Sequence, residues 1–542
     1  MKFHAKQDLF KILSIQSTAV HFIPKKLKKL QDNYLATFLV IIRSMKKRSW
    51  FLSILAAILP ALLTVIILGD IFQVNIADFL PRIWNDQVGY WHWAKSFSTA
   101  GFNAGYNGWD ELTAPAAFNP YGENGPFYQM IYGSIGWLVG WKNALPIYIN
   151  MGFLTFSLLL FIRKAELENE QILHLGTSVL LLFPILLYLP LSSHETLNQS
   201  IAILLTTVFY FTQKRDLQSY QKILFALFLF FASLIRLSWA VLFLPFFFIT
   251  VRGSFTKKLL LSLTISAFLG YTSLAISGYL LPPSGNIILE LIKETRTSGA
   301  HILLSHIKFQ LATLFSPQHR MDLIITLETF SLGLWSFFYF LRKKTPLDER
   351  VESTSFLNAY NLLVPLGMGI VFYLVAGFHR IFVPHLLITA LLLIKQRKYL
   401  PLYLSLFIGV LFYSPFWSAY QKTPINYQPM TAEFLATQNI IKQNIVFDPN
   451  SESHWCNTLL LPIDRYNDYV PMLPAGIGAS PIITPQNLSY PPKSKYILLD
   501  HETLTRGAYL KYFPMDDLNL DLLDSLPHAE IYYNADSGCS RE

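Results

Sequence analysis

Apolar residues run along this chain in blocks rather than in stripes. Eleven stretches, roughly 50–70, 144–162, 172–190, 199–213, 222–235, 237–251, 259–280, 322–341, 357–376, 381–394 and 399–417, carry little or no charge. A helix crossing hydrocarbon needs about 20 predominantly apolar residues, because its backbone groups have no water to bond. The pattern predicts an all-α polytopic membrane protein with about eleven transmembrane helices. The shorter blocks are extended by flanking residues, or sit tilted or broken inside the bundle. Past residue 417 the pattern changes. A helix-like stretch, Thr431–Asn444, precedes strand-like runs at Ile445–Phe447, Leu459–Leu461, Tyr496–Leu499 and Ile531–Tyr533, with Pro-rich turns between them. This predicts a small α/β domain over 418–542.

Charge sets the direction. Cytoplasmic loops of membrane proteins collect Lys and Arg. With the basic segment 1–48 inside, the inner turns carry Arg163/Lys164, Lys214/Arg215, Arg252/Lys257/Lys258, Arg342/Lys343/Lys344 and Lys395/Arg397/Lys398. The short outer loops 191–198 and 377–380 hold one Arg between them, Arg380. Counting Phe127–Trp141 as a span would invert every later loop, so it is read as a helix at the membrane surface. The expected plan is a cytoplasmic N-terminal segment (1–48), a transmembrane domain (49–417) with a long first outer loop (71–143), and an extracytoplasmic C-terminal domain (418–542). Segment 1–48 has no cleavable signal, and Met45-Lys46-Lys47-Arg48 before an apolar helix reads as a natural start. One outer loop, 281–320, is basic: Lys293, Arg296, Lys308 and Arg320 accompany His301, His306 and His319. A solvated amphipathic helix and a phosphate-binding surface account for it equally well.

Composition agrees with the membrane class. Hydrophobic residues are 52% and charged residues 14% of the chain, and mean hydropathy is +0.37. Soluble domains carry about a quarter charged residues. The net charge of +9 belongs to loops that meet anionic lipid, and no nucleic-acid-binding motif accompanies it. Cys456 and Cys539 both fall in the C-terminal domain, where a disulfide or two free thiols are equally open. No Walker loop, CxxC, GxSxG or HExxH is present, which argues against an ATP-driven pump. Scattered pairs such as His194-Glu195 give too few convergent ligands for a metal. No cofactor is identified, and a divalent metal stays an open question.

The first outer loop carries the candidate chemistry. It opens with Pro81-Arg82-Ile83-Trp84-Asn85-Asp86-Gln87-Val88-Gly89-Tyr90-Trp91-His92-Trp93-Ala94, and Asp86 and Tyr90, four residues apart, share a face if this is helix. It continues through Asp110-Glu111 to Glu123-Asn124-Gly125-Pro126. Aromatic faces stack on sugars, and carboxylates accept hydroxyls or take protons. Asp86 also suits the N-cap of a surface helix, and the residue chemistry alone leans slightly that way.

The order of these features resembles the GT-C class of membrane glycosyltransferases, nearest the protein O-mannosyltransferase and aminoarabinose-transferase kind that use polyprenyl-phosphate sugars. Asp86, Tyr90 and Ala94 match its D-x-x-x-Y-x-x-x-A spacing. Gly125-Pro126-Phe127 and Gly140 match the entry and end of its surface helix. Leu234-Ile235-Arg236-Leu237 matches an Arg between two short spans, and His379-Arg380-Ile381-Phe382-Val383-Pro384 resembles the late Arg-aromatic-Pro motif with the aromatic one place later. The likeness covers roughly residues 50–417. Asn85 replaces the first of two adjacent acids, leaving Glu111 as the preferred second carboxylate. The resemblance implies inverting transfer of a sugar from a polyprenyl-phosphate donor to a glycan, lipid or protein acceptor at the outer face of the cytoplasmic membrane. Asp86 would be the base, with Arg380, Arg236 and His379 at the donor phosphate and Tyr90, His92 and Glu123 at the substrate. Snorkelling accounts for Arg236 equally well, whereas for Arg380 an ionisable group near membrane depth favours function over interfacial anchoring. A transporter or flippase of lipid-linked glycans, or a non-catalytic relative, are the competing readings.

Overall fold

The computed structural model describes residues 47–71, 75–78, 85–106, 125–191, 193–214, 217–280, 287–315, 320–342, 349–371, 378–411, 431–482, 491–501 and 518–541. Two compact units emerge, Met1–Leu55 and Ala56–Glu542. Of the first, only the opening of helix α1 (Lys47–Ile66) is described. The rest of the architecture belongs to the second.

Among the described residues, each predicted apolar block falls on helix. After α1, whose Pro60 carbonyl is bonded by Thr64 at 2.9 Å, come α2 (Asn85–Ala100), α3 (Phe127–Val139) and α4 (Leu145–Lys164). The block at 172–190 is two helices, α5 (Asn169–Leu181) and α6 (Phe183–Leu191). Pro184 has no N–H to continue the ladder, so the chain breaks at Leu182. Then follow α7 (Ser193–Lys214), α8 (Ser219–Ile235), α9 (Phe243–Thr250), α10 (Phe255–Leu280), α11 (Ile287–Ser298), α12 (Ala300–Phe315), α13 (Arg320–Arg342), α14 (Glu349–Val371), α15 (Val383–Lys395) and α16 (Tyr399–Leu411). Helix α15 is buried from Val383 through Ile394, as a helix apolar all round must be when neighbours enclose it. Helices α5 and α8 start with capping boxes, Glu168 with Gln171 and Gln218 with Gln221, which satisfy N–H groups at their exposed ends.

Length separates these helices. Among the described residues four are long and apolar enough to cross a bilayer: Trp50–Gly69, Leu145–Lys164, Phe255–Leu280 and Met321–Leu341. Others are shorter apolar pieces, including Ser219–Ile235 and Tyr399–Val410. The surface-helix candidate is α3. It ends at Gly140, whose φ of +83° favours glycine, and it leaves Trp137, Leu138 and Val139 exposed.

The C-terminal residues form helix α17 (Ala432–Asn444), a one-turn helix α18 (Tyr466–Tyr469) and a five-stranded sheet. The strands are β1 (Thr458–Pro462), β2 (Gly478–Ile482), β3 (Tyr496–Asp500), β4 (Leu520–Ser525) and β5 (Ala529–Asn534), in the order β2-β1-β3-β5-β4. β2, β1 and β3 are parallel, while β5 pairs antiparallel with β3 and β4. β1, β2 and β3 are buried along their whole length. The predicted strand at Ile445–Phe447 is not one. Ile445 closes α17 and buries itself in the core, and Val446 bonds the Tyr496 hydroxyl instead of a ladder. Cys456 and Cys539 form a disulfide.

The core of this domain extends beyond it. Val88 and Trp91 of α2 pack with Phe434, Ile441, Leu459, Leu461, Tyr466 and Ile531. Helix α2 and the C-terminal residues therefore share one hydrophobic cluster.

Candidate functional site

Asp86 lies in the first turn of α2, which begins at Asn85. It is not the cap. Its carboxylate, about one third exposed, accepts a hydrogen bond from Arg380 Nη2 at 2.6 Å. Arg380 sits in a 3-10 turn, Phe378–Phe382, held against α15 by the Val383-Pro384 entry. Its Nε reaches 3.4 Å from Glu195 Oε1. Arg236 occupies the break after α8, in extended backbone (φ −148°, ψ 117°). That kink turns its side chain so that Nη2 donates to the same Glu195 oxygen at 2.5 Å and lies 3.2 Å from His194 Nδ1. Four segments separated by as many as 294 residues thus meet in one network of two carboxylates and two guanidiniums.

Glu195 is its centre. Its side chain is 2% exposed, at the start of α7. A carboxylate is buried so completely only when paired, and Glu195 faces two arginines. Burial alone would weaken the charge on Arg380. Glu195 and Asp86 outweigh that and raise its pKa above the ordinary value. In the sequence His194-Glu195 reads as a short polar turn, which hides the role of Glu195. The signal lay in its position, an acid between two apolar blocks, where ionisable groups are usually functional.

An aromatic wall adjoins the network. Tyr90 packs against His194 (ring centroids 5.0 Å) and Tyr128 (5.3 Å), and Tyr128 against Tyr132 (4.9 Å). Tyr90 and Asp86 thus serve one side of α2. Arg236 also opens the 3-10 segment Leu237–Leu242, which lines an apolar cavity of about 350 Å³ with Gly270, Leu274, Tyr360, Leu363 and Gly367.

His92 and His379 stand apart from this network. His92 is buried with Nε2 2.6 Å from the Ile477 carbonyl of the C-terminal domain. Burial first, and Lys95 second, lower its pKa to about 3, so it stays neutral. A side chain enclosed in that interface is not open to a substrate. His379 points to α13, with Nδ1 2.6 Å from Thr326 Oγ1. Glu111 and Glu123 lie outside the described residues. Among those described, no cluster of three or more His, Cys, Asp or Glu could hold a metal ion.

The C-terminal domain is clamped to the helix that bears Asp86. Lys95 Nζ donates to Leu473 O at 2.6 Å, Gly105 N to Gly476 O at 2.8 Å, and Tyr106 N to Thr458 Oγ1 at 2.8 Å. His454 Nδ1 meets the Ala104 carbonyl at 2.7 Å. Tyr466 enters over Gly89, where a Cβ would meet its hydroxyl at 3.2 Å. Burial first, then the charge of Asp86, raise the Tyr466 pKa, so the phenol stays protonated beside the carboxylate.

No protein-family model and no curated protein matches the chain. Among solved structures it is similar to an oligosaccharyltransferase of Archaeoglobus fulgidus in complex with Zn and sulfate, at 13% identity and a TM-score of 0.47 over 88% of this chain and 73% of that one. It is also similar to ArnT from Cupriavidus metallidurans bound to undecaprenyl phosphate, at 12% identity and a TM-score of 0.38 over 85% of this chain and 95% of that one.

Proposed function

We propose that this protein transfers a sugar from a polyprenyl-phosphate-linked donor to an acceptor hydroxyl at the outer face of a cytoplasmic membrane, with inversion. The observation that carries the reading is the Asp86–Arg380–Glu195–Arg236 network, beside an apolar cavity that begins at the residue after Arg236. An amphipathic donor needs cations for its phosphate and an apolar track for its chain, and the two adjoin here. The ordered motif likeness over residues 50–417 supports the same reading.

The chemistry follows from charge. Asp86 held by Arg380 has its carboxylate oxygen occupied and is not free to take a proton. A donor phosphate competes for Arg380 through charge-assisted bonds and releases Asp86 to the acceptor. Asp86 then takes the hydroxyl proton while the acceptor oxygen bonds to the anomeric carbon. The bond from that carbon to the phosphate oxygen breaks, and its electron pair leaves on the polyprenyl phosphate. Glu195 keeps the two guanidiniums together without joining the proton transfer. Tyr90 forms the wall of the sugar site, and the C-terminal domain fixes α2 in place.

The test is transfer by the purified protein from polyprenyl-phosphate sugars, against Asp86→Asn and Arg380→Gln. Both variants should insert normally and lose transfer. Full transfer by Asp86→Asn would remove the base. Lipid-linked glycan crossing proteoliposomes without any transfer would favour a flippase.

A further inference from the structure

Two hydrogen-bond donors in the network have no role in the chemistry above. Arg236 Nη2 lies 3.2 Å from His194 Nδ1. A guanidinium only donates, so Nδ1 accepts, and the single proton of the neutral imidazole is on Nε2. Glu195 Oε1 is 3.9 Å from Nδ1, too far for the opposite assignment. Nε2–H is then a donor on a side chain that is 2% exposed, and it has no hydrogen-bond partner among the described residues. Arg236 Nη1 is likewise buried without a hydrogen-bond partner there. The imidazole cannot simply swing toward water, because the rings of Tyr90 and Tyr128 lie 5.0 and 5.7 Å from it.

A buried donor left unmade costs stability, and a native structure rarely keeps two on one network without a use. Both groups are donors, so the partner they lack is an oxygen acceptor. The network is already balanced between two carboxylates and two guanidiniums. A neutral His194 adds a bond without adding charge.

We propose that His194, through Nε2–H, and Arg236, through Nη1, form a two-donor seat for a phosphoryl oxygen of the donor substrate. This rests on the sugar-transfer reading and adds His194 to it as a binding residue. As the sugar leaves, the electron pair of the broken bond raises the negative charge on the phosphate. Donors set at that oxygen then bind more strongly than in the ground state, which raises kcat.

The experiment uses the full chain in detergent, with sugar-free polyprenyl phosphate and inorganic phosphate as separate ligands and binding read by calorimetry. Asparagine keeps an acceptor near Nδ1 for Arg236 but has no donor at the distal position, whereas glutamine reaches that position with an amide N–H. His194→Asn should weaken binding on the order of tenfold or more, and His194→Gln should stay near wild type. In transfer assays His194→Asn should lower kcat more than it raises KM, a split that a purely structural defect would not give. Loss with both ligands means the seat takes any phosphate, and loss with polyprenyl phosphate alone means it takes the lipid-borne group. Wild-type binding of both ligands by His194→Asn, with transfer intact, overturns the seat and leaves the transfer reading standing. A wild-type protein that binds neither phosphate overturns both. Should His194→Asn fail to fold, Arg236→Lys carries the test. It keeps the charge at Glu195 but drops Nη1, and must weaken binding likewise.

Discussion

Replacing Gly105 by alanine should unfasten the C-terminal domain from the helix that carries Asp86. A Cβ at Gly105 would fall 1.7 Å from the Asn457 carbonyl oxygen and 2.6 Å from Gly478 N. Both obstacles are backbone and cannot rotate away, so the segments must part by more than about an ångström. That shift breaks three contacts: Gly105 N to Gly476 O, Tyr106 N to Thr458 Oγ1, and His454 Nδ1 to Ala104 O, at 2.8, 2.8 and 2.7 Å. At about 1 kcal/mol net for each hydrogen bond the loss is about 3 kcal/mol. Such a change raises the open population roughly a hundredfold. When opening is fast, cleavage of the open form tracks that population, so limited proteolysis near residues 104–106 should speed up by a similar factor. Gly152→Ala is the control, because a Cβ there meets nothing within 4 Å. If Gly105→Ala is cut at the wild-type rate with an unchanged thermal midpoint, the clamp does not hold the helix.

Three further outcomes follow from the same contacts. Glu195→Gln leaves Arg236 and Arg380 facing each other without the carboxylate between them, so it should cost about 3–5 kcal/mol in detergent unfolding and abolish transfer. Arg236→Gln added to it should recover part of the stability. Cys456→Ser opens a disulfide that spans 83 residues, and should cost about 4.5 kcal/mol on chain entropy, read as a lower midpoint for the C-terminal domain. Burial first, then Lys442, lower the Lys95 pKa from 10.5 to about 7. Between those values the unfolded chain holds the extra proton, so stability should rise with pH from about 7 to 10.5 and level off above. Lys95→Met should flatten that rise, and an equal slope in both proteins would assign it to another group.

Much of the helical layout was legible from hydropathy. The block at 381–394 became α15, and the one at 322–341 became α13. Three strands of the C-terminal sheet were legible too: β1, β3 and β5 are its interior strands and read as apolar runs. The missed strands, β2 and β4, are its edges. β2 reads Gly-Ala-Ser-Pro-Ile and β4 carries Asp521, Asp524 and Ser525, compositions that an edge tolerates and a local pattern does not announce. The break at Leu182 escaped because Pro184 sits inside an otherwise uniform apolar block.

By itself the sequence determined where helices lie and which first-loop acid to suspect. Apolar transfer is a property of neighbouring residues, and a capping or aromatic pattern lies within one turn. Only the tertiary structure decided what surrounds Asp86. Its partner Arg380 is 294 positions away, and Arg236 stands 41 positions beyond Glu195. It also turned His92 into an interface residue beneath Ile477, although it lies only two positions from Tyr90. The reason is physical: charges pair through space, and no periodicity along the chain records which distant helix ends the packing brings together.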